Sequence, residues 1–341
     1  MIAADADWVP TQLRWTPAGA LVDWCHLGEL RFTAPFFEQT IGKAMAHPFN
    51  LLFGHSTPLA TLEHEEFELR PAGLIFHMSR CGSTLVTQML AALRRNVVLS
   101  EPGPLDQIVR APSRQVGATA DMLVHWLRAM TAAFGRRRYK EERDLFIKFE
   151  AWHVLLLPLI RRAFPDVPWV FLYRHPVEVM ASLARLQSKQ MFPGSIDPAL
   201  IGLDLPRSAA MSADLYGAVL LEQICGAAIA HHGIIGGGLL LAYRELPEAA
   251  LTRMLTHFGL RYGTDELSRM REAALRDAKR PDLRYADESE AKRRDASAEI
   301  RDLAATRLAP LYDRLEALRL AEMHGAGAAR SPRSLRDAHK S

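Results

Sequence analysis

Residues 74–90 read LIFHMSRCGSTLVTQML, an apolar run, a compact polar turn and a stretch whose apolar residues recur at helical spacing. A strand, turn and helix in that order bring the first backbone N–H groups of the helix to one point, where the aligned peptide dipoles add about half a positive charge. This is the geometry of an anion site. Gly82 lets the backbone approach a phosphate closely, and Cys81 contributes a backbone N–H to the turn. Ser83 and Thr84 supply hydroxyl donors, and Arg80 supplies a charged fork. The same residues would also serve an ordinary strand-to-helix connection with Ser83 as the helix N-cap. The Walker A pattern is absent, since the turn has no Lys and a single Gly.

Further apolar runs at 145–149, 169–173 and 239–243 alternate with amphipathic stretches. Leu85, Val86, Met89, Leu90 and Leu93 share one helical face, as do Trp152, Leu155, Leu156, Leu159, Ile160 and Ala163. The pattern predicts an α/β fold, a mainly parallel central sheet flanked by helices over residues 71–324. Leu251, Met254, Leu255 and Phe258 predict a helix stopped by Gly259, and the apolar window 215–243 predicts a buried helix followed by a strand. A charged pattern over 289–320, interrupted by Pro310, predicts a kinked or split pair of helices with a helical C-terminus. Residues 1–70 are poorly periodic, hold Trp8, Trp15 and Trp24, and read as an N-terminal extension or cap module. Residues 325–341 offer no apolar face and predict a disordered tail.

Forty-two Lys and Arg against thirty-nine Asp and Glu leave a formal charge of +3 over 341 residues, too weak a field for nonspecific nucleic-acid binding. Any anion site is therefore local. The three cysteines, Cys25, Cys81 and Cys225, are widely separated and odd in number, which excludes a disulfide framework or a CxxC zinc site. The first ten residues lack a basic, apolar leader, and no uninterrupted apolar stretch of about 18 residues occurs. These features predict a cytoplasmic protein with no membrane span.

A second strand-to-helix stretch, WVFLYRHPVEVMASL at 169–183, sets Arg174 at the strand's carboxyl end and Ser182 two helical turns on. Together they suit a second phosphate; taken alone, Arg174 suits a surface ion pair equally well.

In combination these stretches resemble the sulfotransferase superfamily, which uses 3'-phosphoadenosine 5'-phosphosulfate (PAPS) as sulfonate donor. SRCGSTL is similar to that family's 5'-phosphosulfate loop in its Arg-containing variant, found in tyrosylprotein and bacterial sulfotransferases. YRHPVEVMASL resembles the 3'-phosphate motif, with Arg174 and Ser182 eight residues apart. LLLAYRELPEAALTRMLTHFGL at 239–260 resembles the late strand and helix, which brings Tyr243 into the implied cofactor site. The likeness spans residues 70–280 or so. Arg80 stands where cytosolic members have Lys, and Arg244 and Glu245 replace a usual acidic pair. No C-terminal "RKG" match occurs, which leaves Lys279 and Arg280 as weak candidates for the remaining 3'-phosphate contacts.

Sulfonate transfer asks for a base at the acceptor and cations at the leaving phosphate, with no metal demanded. Glu101, in LSEPGPLD, is the leading base, because the resemblance implies a catalytic Glu at this distance from Arg80. Glu150, closing the run FIKFE, is its rival, and His153 a weaker third. Lys148, inside that apolar run, resembles the Lys of a "KTP"-like segment and suits the charge developing on the sulfonate; otherwise it is an edge-strand Lys reaching for water. Cys81 is either a thiol activated by Arg80 and the helix N-terminus or a small buried filler, with the filler favoured. His77, His231 and His232 read as structural. The implied activity is transfer of sulfonate from PAPS to a hydroxyl or amine of a small-molecule or peptide acceptor. A P-loop kinase, or a noncatalytic scaffold binding 3',5'-adenosine bisphosphate (PAP), are the alternatives.

Overall fold

The computed structural model describes residues 6–328 apart from 18, 64, 114–116, 187–188, 234–236, 281 and 285–286. The chain begins with β1 (Trp8–Thr16), β2 (Gly19–His26), α1 (Phe37–Met45), α2 (Pro48–Phe53) and β3 (His55–Pro58). There follow β4 (Pro71–His77), α3 (Ser83–Ala91), β5 (Asn96–Ser100), α4 (Gly103–Val109), α5 (Ala120–Phe134), β6 (Asp144–Lys148), α6 (Leu157–Ala163), β7 (Trp169–Tyr173) and α7 (Pro176–Arg185). The last part holds α8 (Leu205–Ala209), α9 (Ala213–His232), β8 (Gly238–Ala242), α10 (Leu255–His257), α11 (Thr264–Ala274), α12 (Ser289–Asp295), α13 (Ala298–Leu303) and α14 (Ala309–Ala328).

The four quoted apolar runs form β4, β6, β7 and β8, and with β5 they make a five-stranded, wholly parallel sheet in the order β5-β6-β4-β7-β8. Helices cover both faces, so Leu74, Ile75, Phe76, Val170, Phe171 and Leu172 are all fully buried, as continuous rather than alternating apolar runs require. From β4 the chain moves outward to β5, returns to β6, and then crosses β4 to reach β7. The connections thus diverge around β4, at the switch point where open parallel sheets bind ligands beyond their carboxyl ends.

Local chemistry explains where the elements depart from expectation. The single helix expected over 152–163 is a 3-10 turn, Ala151–Leu156, followed by α6, because Pro158 lacks an N–H and sits in the first turn of a new helix. Gly259 does stop the preceding helix, at φ 68°, with the Leu260 N–H returning to Leu255 O at 2.8 Å. Pro310 makes no break: a π-turn at Ala304–Leu308 widens the helix just before it, and the chain stays helical from Ala298 to Ala328. The interruption falls at extended Ala296 instead. Residues 325–328, expected in the disordered tail, complete the last turn of α14, since extending a formed helix adds one hydrogen bond per residue. Residues 329–341 lie outside the described residues. The apolar window is α9 followed by β8. By length and composition α9 could cross a membrane, but Tyr216, Leu220, Leu221, Ile224 and Cys225 are buried in the core.

Within residues 6–62, β1, β2 and β3 make an antiparallel sheet in that order. A bulge between Pro10 and Gln12 shifts the register of β1, which is why its apolar residues do not alternate cleanly. Trp15 meets Trp126 of α5 at 5.4 Å between ring centroids, and Phe37 meets Phe134 at 5.5 Å. Trp8, Val9, Leu13 and Val22 thereby join one core with the parallel sheet.

Behind β7 and β8, buried Arg319 of α14 donates to the Tyr173 hydroxyl at 3.1 Å, Glu245 at 2.6 Å and Glu316 at 2.8 Å. Arg253 also pairs with Glu245, and half-exposed Arg244 with Glu316. Arg319→Met is expected to cost about 3 kcal/mol in chemical denaturation, at the low end for a broken buried network because those two arginines stay. A loss under about 1 kcal/mol would show that Arg319 contributes little beyond its volume.

Candidate active site

The turn after β4 begins α3 with Gly82 as its N-cap at φ 85°, and no side chain caps the helix. Ser83, the expected cap, is instead the first helical residue, so the leading N–H groups are left to face whatever occupies the turn. A Cβ on Gly82 would come within 2.8 Å of Tyr243 and Leu246, so the close packing of the Tyr243 ring requires glycine as much as the backbone angle does. Cys81 turns away from the site: its thiol is fully buried, donates to Leu172 O at 3.1 Å, and is pushed up to about 12 by burial. The activated-thiol reading is therefore wrong, because losing water outweighs the nearby arginine and helix end. Only its backbone belongs to the loop.

Two of the three expected catalytic residues, Glu101 and Lys148, meet at the carboxyl ends of β5 and β6. Lys148 is not at an edge, since β6 lies between β5 and β4; it is fully buried, with its ammonium 2.8 Å from Glu101 Oε1. That ammonium has three donors and one carboxylate oxygen within reach. Burial alone would raise the Glu101 carboxyl, but the Lys148 charge and a hydrogen bond from His77 hold it well below the usual carboxylate range. The Glu101 N–H donates to Lys148 O at 2.7 Å, tying the two residues through the backbone as well.

Glu150 and His153 belong to an adjoining cluster. The Trp152 indole donates to Glu150 Oε2 at 3.2 Å, and Asp106 joins His153 at 2.9 Å and Arg110 at 2.7 Å. The Arg110 guanidinium lies over the Trp152 ring at 4.6 Å. Burial, then the charges of Asp106 and Glu101, push the Glu150 carboxyl up. Two neighbouring carboxyls are thus driven in opposite directions.

On the other flank, Arg80 donates through Nε to Ser182 Oγ at 2.8 Å. Arg174 is buried, pairs with Glu178 at 2.5 Å, donates to Ser289 Oγ at 2.8 Å and stacks 3.7 Å over the Tyr243 ring. A cavity of about 300 Å³ opens here, lined by Arg174, Tyr243, Ser289, Arg293 and Tyr312 among others. The surface ion pair is excluded for Arg174 because both partners of its salt bridge are buried.

One feature escaped the sequence reading, and two residues it named stand elsewhere than expected. Lys279, exposed over much of its surface, lies near Arg80, Lys148 and Glu101; partial loss of water around its ammonium and those two cations push it down to about 8. Phe36, from the N-terminal part, places its ring 4.9 Å from the Lys148 ammonium and 5.8 Å from that of Lys279. His77 stands 3.4 Å from Glu101 and is no isolated core residue. A usable signal existed for His77, a polar side chain inside a buried strand three residues before the turn's Arg, whereas Phe36 carries none.

No protein-family model and no curated protein matches this chain. Solved structures do show a likeness. One is the sulfotransferase domain of the olefin synthase from Synechococcus PCC 7002, with TM-score 0.43 and 16% identity, covering 72% of this chain and 96% of that one. A sulfotransferase from Alicyclobacillus acidocaldarius has TM-score 0.44 and 14% identity over 73% of this chain and 96% of that one. The sulfotransferase domain from the curacin biosynthetic pathway has TM-score 0.43 and 15% identity over 75% and 98%. The chain is similar in fold to solved sulfotransferases. Among the described residues there is no group of three or more His, Cys, Asp or Glu side chains placed to hold a metal ion.

Proposed function

We propose that this protein is a cytoplasmic sulfotransferase that uses PAPS to sulfonate a hydroxyl or amine of a small molecule or peptide. The observation that carries the reading is the meeting of an uncapped helix N-terminus, Arg80 and buried Lys148 with the ionised carboxylate of Glu101 at one sheet end. Arg80 and Lys148 both act on Lys279 at this end, with Glu101 close by, a gathering of positive charge that suits an anionic group. The free, buried state of all three cysteines supports a reducing compartment.

The donor fits these residues: Lys148 has ammonium donors to spare, and the α3 N–H groups have no side-chain cap. The loop from Arg80 to Thr84 would hold the 5'-phosphosulfate, and Arg174 and Tyr243, which line the cavity, would hold the 3'-phosphate end together with Ser182. PAPS when bound supplies the sulfonate and departs as PAP. Glu101 accepts the proton that the acceptor hydroxyl loses as its oxygen bonds to sulfur. Lys148 and Arg80 stabilise the negative charge gathering on the leaving phosphate oxygen, in a site where burial strengthens each interaction.

PAP is expected to raise the melting temperature by several degrees at concentrations where ATP, with or without magnesium, does so much less, because Arg174 and Ser182 would read a 3'-phosphate that ATP lacks. Equal stabilisation by ATP and PAP would favour the kinase reading. PAP binding with no turnover across an acceptor screen using labelled PAPS would favour the noncatalytic scaffold.

A further inference from the structure

Three non-glycine residues at the carboxyl ends of β4 and β5 hold left-handed backbone: Ser79 at φ 78°, Arg80 at 52° and Glu101 at 58°. Among the described residues no other non-glycine residue does. Such conformations are held only where the surroundings over-determine them. One buried side chain touches two of the three. His77 Nδ1 accepts the Ser79 N–H at 3.1 Å, while Nε2 lies 3.1 Å from Phe149 O and 3.4 Å from Glu101 Oε1.

The geometry fixes the state of the ring. Since Nδ1 accepts a backbone N–H, the proton of the neutral imidazole is on Nε2, which donates toward both Phe149 O and Glu101. The groups facing it are Glu101 from the end of β5, Lys148 from β6, Phe149 O and Ser79 of its own turn. Burial and the Lys148 charge disfavour a second proton more strongly than Glu101 favours it.

We propose that His77 is a positioning residue: as a neutral Nε2–H imidazole it locks the strained turn at Ser79 and the carboxylate of Glu101 into one frame. A histidine serving packing alone would need neither contact, and Phe149 O would satisfy its only N–H. Glu101 would lose a donor without it, leaving Lys148 alone to aim the carboxylate. The consequence for turnover rests on the sulfonate-transfer reading, whereas the effect on Glu101 does not.

The test is nitrogen and carboxyl-carbon NMR on the full chain with labelled His and Glu. In the wild type, His77 is expected as the Nε2–H tautomer, unchanged between about pH 5 and 8. His77→Leu should raise the titration midpoint of Glu101 by about one pH unit or more, and His77→Gln, whose amide can still donate toward Glu101, should recover most of that shift. With PAPS and an identified acceptor, His77→Leu should lower kcat about tenfold or more. An Nδ1–H tautomer, an imidazolium at neutral pH, or a Glu101 titration unmoved by both substitutions would overturn the proposal. The tautomer is read on the wild type and decides even if His77→Leu does not fold. Absence of wild-type turnover with the expected NMR result would overturn sulfonate transfer and leave the positioning of Glu101 standing.

Discussion

Glu101→Gln is expected to cut sulfonate transfer by about a hundredfold or more while binding PAP at least as tightly as the wild type, since it removes the proton acceptor and a negative charge from beside Lys148 and Lys279. The amide preserves the shape that fits beside Lys148 and His77. Glu150→Gln is the control, because Glu150 sits two residues beyond Lys148 and competes for the same role from the sequence alone. The opposite pKa shifts of the two carboxyls make the pH profile decisive. A rate resting on Glu101, whose carboxyl is held low, stays flat on the acid side of neutrality; one resting on Glu150, whose carboxyl is pushed up, falls away as the pH drops toward the acidic range. Loss of transfer in Glu150→Gln with an upward-shifted acid limb would transfer the role to Glu150.

Lys148→Met is expected to lower turnover by about a hundred- to a thousandfold, the scale for removing one preorganised charge from a developing anion. It should also reverse a pH dependence of stability. In the wild type the Glu101 carboxyl lies below its unfolded value, so its contribution is present above about pH 4 and is lost as pH falls through the folded value. Without the ammonium, burial dominates and the folded carboxyl rises above the unfolded one. The contribution of Glu101 is then present at acid pH and lost as pH rises through the raised value. Denaturation at a series of pH values reads this directly, and an unchanged sign of the difference between neutral and acid pH would show that Lys148 does not hold Glu101 ionised.

What the sequence made legible is what its neighbours along the chain decide. Leu74, Ile75 and Phe76 followed by a glycine turn and a helical stripe are local, and they yield β4, the turn and α3 together. Lys148 stood out because a lysine inside a buried apolar run has to be paired. The pairing of Arg80 with Ser182, of Arg174 with Ser289, and of Lys279 with the catalytic end joins residues about a hundred or more positions apart, where no periodicity reaches. The first strand was illegible for a nearer reason, since its bulge destroys the alternation that would reveal it. Pro310 misled because a π-turn can absorb the ring that an ordinary helix cannot.

The ring of Phe36 has a meaning in time as well as in space. It belongs to the first part of the chain to be synthesised, while Lys279, the second ammonium it covers, follows about 240 residues later, a separation that makes this contact among the most costly to close. Refolding should therefore recover sheet and helix signals before it recovers anion binding, because the charged end of the sheet is finished only when the two distant ends of the chain meet across it.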